Sequence, residues 1–148
     1  INNYKKIAIK SLINTSLKKN EIDKNKVTNY NKQDLENYMQ NVAQNFNTNQ
    51  KGLKNIFKQN NISYSAFREK NKIELLWNSL IYKLYRNQIN INIVEVENEI
   101  QKISQSQNAE ELKLTRQKIL NKKKEDQLNL FSRSHLTSLE SNIPVNFQ

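Results

Sequence analysis

The chain has 148 residues, with 24 Lys plus Arg against 14 Asp plus Glu, one Gly, one Pro and no Cys. That length allows one domain with a core, yet 36% hydrophobic content and a mean hydropathy of −0.89 make the core lean. The absence of Cys excludes disulfides, thiolate metal sites and thiol catalysis. A single Gly leaves nothing from which to build a phosphate loop, a dinucleotide fingerprint or a nucleophile elbow.

From Tyr4 to about Glu21, Ile9, Leu12, Ile13, Ser16 and Leu17 recur at helical spacing with Ile7 and Ala8 beside them, and Lys18 and Lys19 suit the C-terminal end of a first helix. A polar stretch, Asp23 to Asn31, leads to a second helix capped by Asn31, with Leu35, Tyr38, Met39, Val42 and Phe46 on one face. Leu53, Ile56 and Phe57 mark a short third helix ending at the pair Asn60 and Asn61. Asn tolerates the left-handed conformation that Gly would otherwise supply.

The chain is organised around Asn60 to Arg86. Ser63 is placed to cap a helix, and Ile73, Leu76, Trp77, Leu80, Ile81 and Leu84 follow the i, i+3, i+4, i+7 spacing of one face. Such a helix runs roughly 35 Å at about 1.5 Å per residue and needs several partners to cover its stripe. Asn92 and Glu95 have the layout of a capping box before a short helix through Val96, Ile100 and Ile103. Ser104 to Asn108 reads as a linker. Ala109 to about Glu140 reads as a last helix, with Leu112, Ile119, Leu120, Leu128, Phe131, His135, Leu136 and Leu139 inward and a break or kink placed at the Lys122 to Asp126 charge run. Ile143, Val145 and Phe147 alternate with polar residues as a short strand, which Pro144 confines to an edge.

The sequence therefore predicts a mainly all-α fold, an elongated multi-helix body with a long central helix and a short C-terminal β-strand. It is read as one domain: a helical core over 1–103, a linker over 104–111, and 112–148 packing back on the core. No apolar run approaches the roughly 20 residues that span a bilayer.

Candidate chemistry is sparse. His135, the one His, has Ser132, Ser134 and Glu140 nearby, but its i, i+4 spacing from Phe131 continues a packing face and nothing sets a nucleophile or oxyanion hole against it. No catalytic residue, metal ligand or cofactor site is assigned. Glu95, Glu97 and Glu99 alternate along a helix and cannot converge as an acid/base pair. The net charge of +10 favours anionic partners, but the excess is almost all Lys. Dominance of Lys, Asn and Ile is what an AT-rich genome encodes, so the charge is discounted. Lys122, Lys123 and Lys124 form the one basic run, with Glu125 and Asp126 directly after it, and Arg, the residue of bidentate base readout, is scarce. The aromatics carry more. Tyr64, Phe67, Trp77, Tyr82 and Tyr85 lie along the central helix and, with Phe131, form the candidate set for binding extended peptide.

Read whole, the helix order, the stretch NNISYSAFREKNKIELLWNSLIYKLYRNQI and the tail TRQKILNKKKEDQLNLFSRSHLTSLESNIPVNFQ resemble the N-terminal domain and C-terminal helix of SurA-type periplasmic chaperones, with Tyr64, Phe67, Arg68, Ile89 and Ile91 in the family's pattern positions. The resemblance implies an ATP-independent, non-enzymatic chaperone core in the periplasm that binds unfolded outer-membrane proteins. The family's parvulin-type prolyl isomerase domains have no room here, because only 104–111 stands where they would lie. The family's first strand and helix also have no counterpart before Ile1, so the edge Ile143, Val145 and Phe147 is expected to pair with a peptide or a second chain. A basic helical nucleic-acid-binding domain, or an interaction module without chaperone activity, are the alternative readings.

Overall fold

A computed structural model describes residues 2–103 and 107–143. Its helices are α1 (Asn3–Lys24), α2 (Lys32–Asn45), α3 (Gln50–Gln59), α4 (Tyr64–Tyr85), a 3-10 turn (Arg86–Gln88), α5 (Ile93–Ile103) and α6 (Ala109–Ser141). The predicted helical class holds. Among the described residues there is no strand, and the one predicted over Ile143 to Phe147 falls outside them after its first residue. Ile143 closes the end of α6, its N–H donating to the Glu140 carbonyl at 3.2 Å, so its backbone serves the helix terminus; Val145 and Phe147 lie outside the described residues.

The chain divides into two compact units, Ile1–Leu80 with Leu139–Gln148, and Ile81–Ser138. Both α4 and α6 therefore cross from one unit to the other, and the boundaries differ from the sequence expectation of a core, a linker at 104–111 and a returning tail.

In the first unit, α2 offers Leu35, Met39 and Ala43 at i, i+4, i+8, α3 offers Leu53 and Phe57, and α4 offers Ile73, Leu76, Trp77 and Leu80; all are buried, as is Ile22 of α1. Ala43, Leu53 and Phe57 form one cluster against which Val42, Tyr64 and Phe67 pack. Truncating a fully buried aromatic such as Trp77 costs about 3–5 kcal/mol, so this layer carries the unit's stability, whereas its exposed ion pairs contribute about 0–1 kcal/mol each.

Helix ends are built without glycine. Asn2, Asn31 and Asn49 cap α1, α2 and α3, each side-chain oxygen accepting a free N–H of the first turn, at 3.2 Å from Tyr4, 3.0 Å from Gln33 and 2.9 Å from Gly52. All three helices then close in the same way. The residue after the C-cap is left-handed, Lys26 at φ 54°, Asn47 at 54° and Asn61 at 56°. The next N–H reaches back to the carbonyl five residues earlier: Val27 to Ile22, Thr48 to Ala43 and Ile62 to Phe57, at 3.1, 3.1 and 2.9 Å.

In the second unit, Ile81, Val96 and Ile100 are buried. The α5 carboxylates face α6: Lys123 meets Glu99 at 2.8 Å and Glu95 at 3.6 Å, and the Arg116 guanidinium grips Glu97 with both terminal nitrogens. The Lys123 ammonium is thereby held above its ordinary range, first by the Glu99 hydrogen bond and then by the two charges. Gln127 binds both backbone groups of Asn90, accepting its N–H at 2.8 Å and donating to its carbonyl. α6 is continuous through Lys122 to Asp126, with Lys122 and Asp126 pairing at 3.4 Å along the helix, so no break occurs at that charge run.

Candidate apolar binding groove

The six aromatic residues read from the sequence do not form one surface. Trp77 is 1% exposed, a core residue that no peptide touches without repacking, which corrects its place in the candidate set. Tyr64 and Phe67 are half-buried and meet Phe57 edge-on, with ring centroids 5.8 and 5.3 Å away. Tyr85 stacks on Phe131 at 4.8 Å with planes 3° apart, and its hydroxyl bonds His135 Nδ1 at 2.5 Å. His135 is thus engaged in packing, and that pair is a structural joint of the second unit. Tyr82, in the same unit, is exposed, with the Arg86 guanidinium 6.0 Å from its ring.

The apolar surface that remains open lies between α1 and the start of α4. Ile62 is placed there by the closure of α3, and Ser63 then starts α4, its Oγ accepting the Ala66 N–H at 3.2 Å. Ala66, Phe67, Lys70 and Ile73 follow at helical spacing and face Ser11, Leu12 and Thr15 of α1 across a groove of about 510 Å³. Phe67 and Ile73 line it from within, while Leu12 at 71% and Ile62 at 53% exposure stand open to solvent. Polar bonds fix its width. Lys18 gives Glu74 two hydrogen bonds at 2.8 and 3.0 Å with its ammonium 5.6 Å from the Trp77 ring, and Lys70 donates to Ser11 Oγ at 3.1 Å.

In the turns of α1 before the groove, every residue from Asn2 to Lys10 is exposed, Tyr4, Ile7 and Ile9 included. The sequence signal for this was present: Tyr4, Ile7, Ala8, Ile9, Leu12 and Ile13 are too many apolar residues for one buried face. On the other side of the ledger, the basic run offers little free charge. Lys122 and Lys123 are paired with acids, and so are Arg68, whose guanidinium hydrogen-bonds Glu36, and Lys72, 3.9 Å from Glu69. The Glu36 carboxyl is held below the usual range, chiefly by that Arg68 bond and secondly by one from Gln50.

Another groove is lined by the polar residues Gln40, Gln44, Asn47, Thr48, Asn49 and Gln50, with no large apolar side chain among them. No group of metal-binding side chains, and no helix long and apolar enough to cross a membrane, occurs among the described residues. No protein-family model matches the chain, and no curated protein and no solved structure matches it.

Proposed function

We propose that the chain holds non-native polypeptide without catalysis or nucleotide, the role its resemblance to SurA-type chaperones implies, with unfolded outer-membrane proteins as the client class and the periplasm as the compartment. One observation carries the reading: Leu12 and Ile62 stand exposed in an open groove that Phe67 and Ile73 also line, and Tyr4 and Ile7 are exposed earlier on α1. Contiguous apolar surface of this kind marks interaction sites in folded chains, and its open, shallow form suits extended segments of varied sequence.

The test is light scattering of a denatured β-barrel membrane protein diluted with near-stoichiometric amounts of the chain. Suppressed aggregation is expected, and Leu12→Ser with Ile62→Ser should abolish it while the far-UV helical signal persists. Unchanged aggregation with the unaltered chain rejects the reading. The basic alternative is tested by titrating an oligonucleotide: tight binding that falls steeply with salt would establish it, because phosphate contacts release counterions.

A further inference from the structure

We infer that this surface selects segments in which an Asp or Glu neighbours large apolar side chains, an inference that rests on the polypeptide-holding reading above. The apolar groove adjoins a smaller one of about 340 Å³ lined by Ile7, Lys10, Asn14, Lys18, Lys70 and Glu74, and the two share Ser11, Thr15 and Lys70. The charges of the smaller groove do not balance. Its one carboxylate, Glu74, is bound twice by Lys18. Lys70 bonds only the neutral Ser11 hydroxyl, and Lys10 has no acid within ion-pair distance among the described residues. Glu69, which lines the apolar groove, faces Lys72 at 3.9 Å.

The surroundings have the same sign. Between Ile1 and Asn20 the chain carries Lys5, Lys6, Lys10, Lys18 and Lys19 and not one Asp or Glu. A second copy would bring cations against cations, which disfavours self-association here and favours an acidic partner. Lys70 lines both grooves, so a carboxylate seated on it leaves the residues beside it in the segment within reach of Leu12, Ile62 and Phe67. Charge then sets which apolar segments are taken, and apolar contact holds them.

The experiment uses fluorescence anisotropy with the full chain and three short labelled peptides that share the same Phe and Leu residues and differ only in flanking Glu, Gln or Lys. The Glu peptide should bind roughly fivefold or more tighter than the Lys peptide, the effect expected of two exposed ion pairs. The difference should collapse between about 0.1 M and about 1 M salt, as the screening length falls from about 10 Å to about 3 Å. Lys10→Gln with Lys70→Gln should erase the preference, bringing the ratio of Glu-peptide to Lys-peptide affinity close to one. Equal binding of the three peptides overturns the inference and leaves polypeptide holding intact, as does a preference that survives in the double variant. Binding of none of them removes both. Displacement of the Glu peptide by an oligonucleotide, lost in the double variant, assigns these lysines to nucleic acid and overturns the inference as well.

Discussion

The one glycine of the chain makes a sharp test of how the α2–α3 hairpin is packed. Gly52 stands in the first turn of α3, not in a turn between helices, and a Cβ built on it falls 1.8 Å from Thr48 Oγ1, 3.0 Å from Thr48 Cβ and 3.3 Å from Thr48 Cγ2. Thr48 has little freedom to retreat, because its N–H is bound to the Ala43 carbonyl in the closure of α2. Two effects oppose each other in Gly52→Ala. Helix propensity gains about 1 kcal/mol, whereas overpacking costs about 1–3 kcal/mol, so the substitution should be neutral to about 2 kcal/mol destabilising. In a Thr48→Ala background Oγ1 and Cγ2 are gone and only the 3.0 Å contact to Cβ remains. Gly52→Ala should then stabilise by about 0.5 kcal/mol, giving a coupling of about 0.5–2.5 kcal/mol across the cycle. Urea unfolding of the four proteins, followed by far-UV circular dichroism, measures it. A full propensity gain for Gly52→Ala alone, or additive effects, refutes the close approach as the reason glycine stands there.

Other consequences are simpler to state. Lys26→Gly removes the steric cost of a left-handed Lys, about 1–2 kcal/mol before glycine's own entropy is subtracted, and should raise the urea midpoint more than Asn61→Gly, since Asn adopts that conformation more readily. Asn14 Oδ1 is buried with no hydrogen-bond partner among the described residues. Asn14→Leu should therefore stabilise, by up to about 1 kcal/mol in a thermal melt, because an unsatisfied buried polar atom carries a penalty of that order or more. Glu36 has a lowered carboxyl pKa, so its stabilising effect is complete above the ordinary value of 4.5 and is lost as pH falls below it through the lowered value. A pH series of urea midpoints should show Glu36→Gln converging with the unaltered chain on the acid side of that window; parallel curves would contradict it.

Much of the helical frame was legible because its signals are local. The position of Asn31 and Asn92 before apolar periodic runs marks them as caps, and both bind the N–H groups expected. The α4 stripe also behaved as its spacing requires, with Ile73, Leu76, Trp77, Leu80 and Ile81 buried, while Leu84 reached the surface at 36% exposure. The start of α6 at Ala109 was legible too, while its cap lay hidden in the polar stretch before it: Asn108 accepts the Glu110 and Glu111 N–H groups at 3.1 and 2.9 Å, and Glu111 accepts the Asn108 N–H at 3.2 Å, a full capping box. What periodicity cannot tell is whether an apolar face has a partner. Ile9 and Leu12 repeat as regularly as Leu76 and Leu80, yet they are exposed, and that difference depends on tertiary neighbours. The division of the chain inside α4 was hidden for a related reason, since the helical pattern runs unbroken through Leu80 and Ile81.

The exposed opening turns of α1 also set where this protein is vulnerable. Their backbone bonds are local, with the Lys5 and Lys6 N–H groups reaching only Asn2, and no burial holds them closed. Such turns open at little free-energy cost. Lys5, Lys6 and Lys10 all lie there, so trypsin should cut first at the site that apolar ligands are proposed to cover. Occupancy would then appear as survival: a peptide seated on Tyr4, Ile7 and Leu12 lengthens the lifetime of the intact chain, and limited digestion becomes a direct reading of the fraction bound.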